Sequence, residues 1–264
     1  MLVLQKVCKT FKPGSINEKR ALVDIDLHIN PGDFVTVIGG NGAGKSTLLN
    51  VVSGVYRCDA GRVLLDEKDV TGMPEHKRAA FLGRVFQDPM MGTAADMIIE
   101  ENLALANRRG SMHTLKWEIT REERETYHER LKVLDLGLEN RMQTKVGLLS
   151  GGQRQALTLL MATLRKPKML LLDEHTAALD PKTARKVLDL TQSIVDENKL
   201  TTLMITHNMK DAIRIGNRLI MMYDGRVIYD VSGEEKQALH TADLMAKFES
   251  VSGGEFANDR MMLG

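Results

Sequence analysis

Apolar residues follow two different periods along the chain, and the change of period separates predicted strands from predicted helices. From Ala21 to Ile29 apolar and polar residues mostly alternate, which predicts a strand with one buried face. Residues 34–38 and 169–172 are short, mostly apolar runs, which predict strands buried within a core. Residues 88–165 lie between these runs and follow a mostly helical pattern. The order of elements therefore predicts an α/β fold with an inserted helical segment.

Short local signals mark where the predicted helices begin and end. Thr120 with Glu123, and Ser150 with Gln153, match the capping box that starts a helix. The second of these helices should stop before Pro167, because a proline disfavours helical geometry in the residue before it. Near the other end of the chain, residues 219–229 predict a β-hairpin around an Asp-Gly turn.

These elements predict one main domain over residues 1–230. Its start is rich in strands, and a helical subdomain at about 88–165 is inserted into it. From Val231 onward the sequence is polar and ends in a glycine pair and a loose end, so residues 231–264 are predicted to form a short C-terminal tail.

Composition limits the classes of partner. The 264 residues are 43% hydrophobic, which is enough for one large α/β domain. The 36 basic and 35 acidic residues give a net charge of +1, so no nucleic-acid partner is expected. No apolar run approaches the roughly 18–20 residues that span a bilayer, and no signal peptide is expected. The two cysteines, Cys8 and Cys58, indicate neither a disulfide framework nor a metal site.

A phosphate-binding loop follows the predicted strand at residues 34–38. Residues 39–46 match the pattern GxxxxGK[ST], with a strand before it and a helix after it. The backbone N–H groups of such a loop turn inward around phosphate oxygens, and the helix N-terminus adds positive potential. Lys45 can reach the β- and γ-phosphates, the Ser46 hydroxyl can ligate Mg²⁺, and Thr47 can bond a phosphate. The nucleotide-binding residues predicted here are Gly39, Asn41, Gly42, Ala43, Gly44, Lys45, Ser46 and Thr47.

Two acids stand at the carboxyl end of the apolar run 169–172, where ligands bind in open α/β sheets. Asp173 suits the Mg²⁺ shell, because Mg²⁺ prefers hard oxygen ligands. Glu174 can act as general base on the attacking water. Taken alone, the pair would be an ordinary solvated turn; downstream of a phosphate loop, the catalytic interpretation is favoured.

Three further residues have both a functional and an ordinary interpretation. Gln87 lies where the β-rich part gives way to the helical part, and it can contact Mg²⁺ or water or be a plain loop residue. His207 follows a predicted strand and can reach a γ-phosphate or be structural. Phe11 can stack on adenine or pack within the β-rich part.

The segment Leu149-Ser150-Gly151-Gly152-Gln153 reads LSGGQ and offers a second anion site at a helix N-terminus. With the other motifs it resembles the ATP-binding subunits of ABC transporters over roughly the first 230 residues. The resemblance implies a P-loop NTPase (RecA-like) core with an N-terminal antiparallel β subdomain and an inserted α-helical subdomain. Within it, Phe11 is the adenine-stacking aromatic, Gln87 the Q-loop, Asp173 with Glu174 the Walker B end, and His207 the switch histidine.

In that family the signature completes the ATP site of a second subunit. The resemblance therefore implies a head-to-tail homodimer with ATP and Mg²⁺, in which Ser150, Gly151, Gly152 and Gln153 face the partner's nucleotide. It also implies transmembrane permease subunits, an extracytoplasmic solute-binding protein, and a position at the cytoplasmic face of the membrane. Two departures stand out: the D-loop reads AALD rather than SALD, and His175 occupies a position where many relatives have proline, which leaves the rigidity of that turn open.

Three functions compete. The first is an energy-coupling ATPase of a transporter, of importer type and closest to branched-chain or aromatic amino-acid systems. The second is a soluble ABC ATPase in DNA repair or translation, which one cassette without a long coiled coil and a near-neutral charge disfavour. The third, a small-molecule P-loop kinase, has no use for LSGGQ.

Overall fold

The structure is a computed structural model, and it describes residues 1–110 and 118–252. The strands are β1 (Leu2–Phe11), β2 (Lys19–Ile29), β3 (Phe34–Gly39), β4 (Ala60–Leu65), β5 (Lys68–Asp69), β6 (Leu82–Val85), β7 (Met169–Asp173), β8 (Thr201–Ile205), β9 (Arg218–Tyr223) and β10 (Arg226–Ser232). The helices are α1 (Lys45–Ser53), α2 (Glu75–Arg78), α3 (Ile99–Asn107), α4 (Arg121–Lys132), α5 (Gly151–Leu164), α6 (Pro181–Asn198), α7 (Met209–Arg214), α8 (Gly233–Gln237) and α9 (Thr241–Ser252).

The chain divides into two compact units. The first unit contains Met1–Arg78 and the segment from Thr201 onward, and the second contains Ala79–Leu200. The predicted helical subdomain at 88–165 lies inside the second unit, which also takes in β6, β7 and α6.

In the first unit, an antiparallel sheet with strand order β2-β1-β4-β5 forms the predicted N-terminal β subdomain. The alternation predicted for residues 21–29 is confirmed, since Leu22, Ile25, Leu27 and Ile29 are buried. Polar positions such as Asp26 and His28 face solvent between them.

A second group of strands in this unit is built around β3, which pairs in parallel with β8 on one side and β9 on the other. Every residue of β3 is buried, as the apolar run predicts. Thr36 is the polar exception, and its hydroxyl donates to the carbonyl of Ala212 at 2.9 Å, which satisfies it in the core. The hairpin of β9 and β10 turns at Asp224 and Gly225, as predicted.

The segment predicted as a short C-terminal tail contains regular secondary structure in the residues that the structure describes. The strand β10 continues to Ser232, and α8 and α9 follow it. Leu244 and Phe248 stand four residues apart, so they share one face of α9, and both are buried in a core with residues of β3, α7 and β9. The polar majority of the segment hides this short apolar stripe. The remaining tail residues, 253–264, lie outside the described part.

In the second unit, α3, α4 and α5 pack around one apolar core that includes Leu103, Tyr127, Leu131 and Leu157. The capping box predicted at Thr120 is confirmed: Thr120 Oγ1 accepts from the backbone N–H of Glu123, and Glu123 Oε2 accepts from that of Thr120. The helix α5 ends at Leu164, before Pro167, as predicted.

Within the first unit, a buried lysine holds α8 against the end of α7. Lys236 of α8 is 1% exposed, and its ammonium donates to the carbonyls of Ile215 and Gly216, just past the end of α7. Ile215 is the C-cap of α7, and its carbonyl is one of those for which the helix itself supplies no donor. Burial lowers the pKa of the Lys236 ammonium to about 8.

This buried amine should make stability depend on pH. In the folded protein it loses its proton near pH 8, whereas the unfolded chain keeps it until about pH 10.5. Between these values the unfolded state binds more protons, so the free energy of unfolding should rise with pH by about 1–3 kcal/mol from this group. Lys236→Met should lack the rise, while Lys210→Met, which removes an exposed lysine of α7, should keep it. Urea unfolding between about pH 7.5 and 10 measures this; parallel profiles for wild type and Lys236→Met would contradict it.

Candidate active site

The predicted site residues fall into two groups, one in each unit. The first unit holds Phe11, the phosphate loop with Lys45, Ser46 and Thr47, and His207. The second unit holds Gln87, the LSGGQ segment, Asp173 and Glu174.

The phosphate loop joins the buried strand β3 to α1. Gly44, the N-cap of α1, has a φ of 101°, and a β-carbon there would lie 2.3 Å from the carbonyl oxygen of Ala21. Only glycine combines that backbone angle with so close an approach. The loop therefore turns sharply into α1, which begins directly after Gly44.

The lysine of the loop is anchored by the loop itself. Lys45 is 7% exposed, and its Nζ donates to the carbonyls of Gly39 at 2.7 Å and Gly40 at 3.1 Å. These bonds hold a positive charge against the loop, while the Ser46 side chain is exposed and Thr47 half-buried. A cationic cradle bounded by glycines fits the phosphates of a nucleotide.

The parallel pairing of β3 and β8 brings His207 to the same edge as the loop. Val37 pairs with Ile205, and the N–H of Thr206 donates to the carbonyl of Val37 at 3.1 Å. His207 is exposed and follows directly, one residue before the N-cap of α7, Asn208. The carboxyl end of a parallel strand is where a ligand-binding residue is expected.

Phe11 is half-buried at the end of β1. Its ring packs edge-on against Tyr56, with centroids 5.2 Å apart, and the Lys9 ammonium lies 5.7 Å from its centroid. The stacking role therefore stays a prediction, since part of the ring is packed and part is accessible.

A second cation adjoins the phosphate loop, and the sequence motifs gave no indication of it. Lys19 pairs with Phe11 across β1 and β2, and a β-carbon placed at Gly42 would lie 2.8 Å from the Lys19 ammonium. Lys19 belongs to no motif; only the pairing of the two strands reveals that it lies beside the loop.

In the second unit, two parallel strands bring Gln87 and Glu174 together. Val85 of β6 pairs with Leu172 of β7, and each site residue follows two positions later. Gln87 Nε2 lies 3.5 Å from Glu174 Oε2. The amide and the carboxylate thus form one polar pair.

Asp173 also has a partner that sequence reasoning missed. Its carboxylate lies 3.8 Å from the Arg84 guanidinium, and both side chains are mostly buried. The Arg84 guanidinium stacks over the Phe86 ring at 4.5 Å from the centroid. Arg84 precedes Gln87 by three residues, so one short segment contacts both Asp173, the predicted metal ligand, and Glu174, the predicted general base.

The residue after Glu174 is buried deep in the unit. His175 is 2% exposed, and its Nε2 lies 3.1 Å from the hydroxyl oxygen of Thr191. Burial lowers the pKa of the His175 imidazole to about 4, so the ring is neutral near pH 7.

The LSGGQ segment begins α5 with the predicted capping box. Ser150 Oγ accepts from the N–H of Gln153 at 3.3 Å, and Gln153 Oε1 accepts from that of Ser150 at 3.2 Å. Ser150 and Gly151 are exposed at the helix N-terminus, but Gly152 is buried. A β-carbon at Gly152 would lie 2.2 Å from the Thr183 methyl group, so this glycine lets α5 and α6 approach closely.

No cluster of three or more histidine, cysteine or acidic residues stands ready to hold a metal ion within residues 1–110 and 118–252. Mg²⁺ does not need one, because it commonly binds through one or two carboxylates together with substrate phosphates. Asp173 and the Ser46 hydroxyl are donors of the required kind.

A comparison with known families decides the identity: the sequence model of the ABC transporter family matches residues 22–177. The chain belongs to the ABC transporter family. It is an ATP-binding subunit and an ATPase of this family, with the α/β P-loop NTPase fold. The fold and the family that the motifs predict are thereby confirmed.

Relatives of this ABC subunit include full-length matches. A tyrosine transport ATP-binding protein of Clostridioides difficile is 44% identical over 250 residues, which are 94% of this chain and 99% of that protein. The thiamine import ATP-binding protein of Yersinia pseudotuberculosis is 35% identical over 78% of this chain and 82% of its own length.

Solved structures of ABC transporter cassettes have the same fold as this chain. A dimeric ATP-binding cassette in a post-hydrolysis state bound to ADP and Pi matches with a TM-score of 0.75 and 30% identity, covering 88% of this chain and 98% of that one. An ADP-bound ABC transporter cassette matches with a TM-score of 0.77 and 28% identity, covering 94% and 98%. Among the helices of the described residues, none has both the length and the apolarity that a membrane crossing requires.

Proposed function

We propose that this chain is the energy-coupling subunit of an importer for aromatic amino acids, tyrosine above all. The observation that carries the proposal is the 44% identity to a tyrosine transport ATP-binding protein over nearly the whole of both chains. The other relatives include ATP-binding proteins of thiamine and of spermidine/putrescine import. Import is the direction that the names of these other relatives give, and it supports the same direction for this chain.

We assign nucleotide binding to the phosphate loop. The loop amides of Gly39, Asn41, Gly42, Ala43 and Gly44 surround the phosphates, and Lys45 and Thr47 bond their oxygens. The arrangement of Lys45, anchored on two loop carbonyls, supports this assignment. Phe11 stacks on the adenine, and Lys19 adds a second positive charge next to the loop.

We also assign the residues that would hold the metal ion and those that act in catalysis. Ser46, Gln87 and Asp173 would hold Mg²⁺, which neutralises developing charge on the phosphates when bound. Glu174 accepts a proton from the attacking water, and Gln87 and His207 orient that water. The 3.5 Å contact between Gln87 and Glu174 fits a shared task.

The signature residues serve the ATP of a second copy. One phosphate loop and one LSGGQ per chain complete two sites only when chains pair head to tail. Ser150 and Gly151, with Gly152 and Gln153 behind them, then present the N-terminus of α5 to the partner's γ-phosphate. The dimeric cassette among the solved relatives supports this arrangement.

The subunit works at the cytoplasmic face of the membrane through permease subunits, fed by an extracytoplasmic solute-binding protein. Residues 1–230 form the ATP-binding domain in this proposal, with the helical subdomain at about 88–165. The alternative, a soluble ABC ATPase in DNA repair or translation, has neither the charge nor the relatives in its favour.

Uptake by the native host tests the proposal. Deleting the chain should abolish uptake of radiolabelled tyrosine, and re-expression should restore it, whereas Glu174→Gln should not. Uptake of labelled thiamine and leucine is the control and should persist. Normal tyrosine uptake in the deletion strain would refute the substrate assignment. Recovery of the tagged chain with ribosomes or DNA instead of membrane proteins would refute the transport role.

A further inference from the structure

We propose that His175 and Thr191 are a positioning pair that fixes the backbone from which Glu174 reaches the attacking water. This inference rests on the proposed role of Glu174 as general base. It assigns a task to a histidine that stands where many relatives have proline, and to a threonine that belongs to no motif.

The backbone at Glu174 needs external support. Its φ is 43°, in the left-handed region that non-glycine residues rarely occupy. The strand β7 ends one residue earlier, at Asp173, and the carbonyl of Glu174 accepts from the N–H of Ala177 at 2.9 Å. Glu174 therefore begins a tight turn, in a conformation that persists only where its surroundings fix it.

The side chain of His175 supplies a fixed point next to this turn. The imidazole is 2% exposed and Thr191 is fully buried, and His175 Nε2 lies 3.1 Å from Thr191 Oγ1. The Thr191 hydroxyl donates its single proton to the carbonyl of Val187 at 2.7 Å. Its oxygen is left as an acceptor, so the imidazole must carry its proton on Nε2 and donate it. Both members of the pair are thereby held in one orientation.

The pair ties the turn to the middle of α6. The connection from Glu174 to Asp180 is held at one end by β7 and at the other by the Asp180 side chain, which accepts from the N–H of Thr183 at the start of α6. Thr191 lies about three turns into α6, so the His175 bond is a third, independent anchor. On the other side the Glu174 carboxylate meets Gln87. The pair thus does for this turn what a proline would do by restricting φ.

Two substitutions of Thr191 separate the hydrogen bond from the packing. Thr191→Val keeps the shape but removes the hydroxyl, and Thr191→Ser keeps the hydroxyl. We expect Thr191→Val to lower kcat for ATP by about tenfold with KM changed by less than about twofold, because the base is displaced while the phosphate loop is intact. Thr191→Ser should retain kcat within about twofold of wild type. A folded Thr191→Val with unchanged kcat would overturn the proposal.

A double-mutant cycle with Glu174→Gln distinguishes positioning from general weakening. If the pair acts through Glu174, Thr191→Val should leave the residual single-turnover rate of Glu174→Gln unchanged. An equal tenfold fall in both backgrounds would overturn the proposal. If Glu174→Gln itself hydrolyses ATP at the wild-type rate, the general-base assignment of Glu174 is refuted. The positioning role of His175 and Thr191 is then refuted too, because it rests on that assignment. If Glu174→Gln loses turnover while Thr191→Val keeps the wild-type kcat, the general-base assignment of Glu174 stands. Only the positioning role of the pair is then refuted.

A change at His175 covers the case in which Thr191→Val does not fold. His175→Gln keeps an N–H donor of similar reach, whereas His175→Leu fills the space without one. We expect His175→Gln to exceed His175→Leu in kcat by about fivefold or more at equal KM. Equal kcat values for two folded variants would overturn the proposal.

Discussion

Glu174→Gln should lower ATP turnover by about 10²- to 10⁴-fold while ATP binding persists. Glutamine keeps the size and the polar contact with Gln87 but cannot accept the proton of the attacking water. Since the phosphate loop is untouched, nucleotide should remain bound and a nucleotide-containing dimer should accumulate. Phosphate release, equilibrium binding of ATP and size-exclusion chromatography with ATP measure the three expectations.

The matched control is Glu125→Gln, which makes the same chemical change at an exposed position of α4. It should leave turnover within about twofold, because surface ion pairs contribute little. A Glu174→Gln protein that hydrolyses ATP at the wild-type rate as a monomer would contradict both the assigned base and the paired sites.

Mixing two inactive variants should restore activity if the signature acts on the partner's nucleotide. Lys45→Met removes the charge that is proposed to meet the phosphates, and Ser150→Arg places a bulky cation at the exposed start of α5. In a mixed dimer, one site carries both defects and the other carries neither. Random pairing makes about half of the dimers mixed, so turnover should recover to about a quarter of the wild-type value.

Each variant alone should be close to inactive. The control is a single chain that carries both changes, and it should stay inactive under the same mixing procedure. Recovery is measured as phosphate release after mixing and re-equilibration of the subunits. If both variants are folded and the ATP turnover of their mixture is no higher than that of each variant alone, the signature does not complete the partner's site as proposed.

Local signals made much of the fold predictable from the sequence. The strand at residues 34–38 is a continuous apolar run because it is buried on both faces, and the capping boxes at Thr120 and Ser150 each act within four residues. The parallel strands then bring predicted polar residues together, as Gln87 and Glu174 demonstrate. Predictions of this kind depend on backbone rules that need no knowledge of distant neighbours.

Side-chain partners from distant parts of the chain were not predictable. Arg84 meets Asp173 across 89 positions, and Lys19 reaches Gly42 only because β1 and β2 pair with Phe11 opposite Lys19. His175 resembled a departure that loosens a turn, yet its partner Thr191 lies 16 residues further on. The burial of α9 through two side chains was equally hidden by its polar surroundings.

The close approach of Gly152 and Thr183 has a consequence for how these two positions can change in evolution. The space that a larger residue at position 152 would fill is taken up by one methyl group of α6, so the two positions cannot vary independently. A larger residue at position 152 therefore requires a smaller residue at position 183 beforehand, and the opposite order would create a clash. The second glycine of LSGGQ is therefore constrained by its own neighbour in α6, even before any nucleotide is considered.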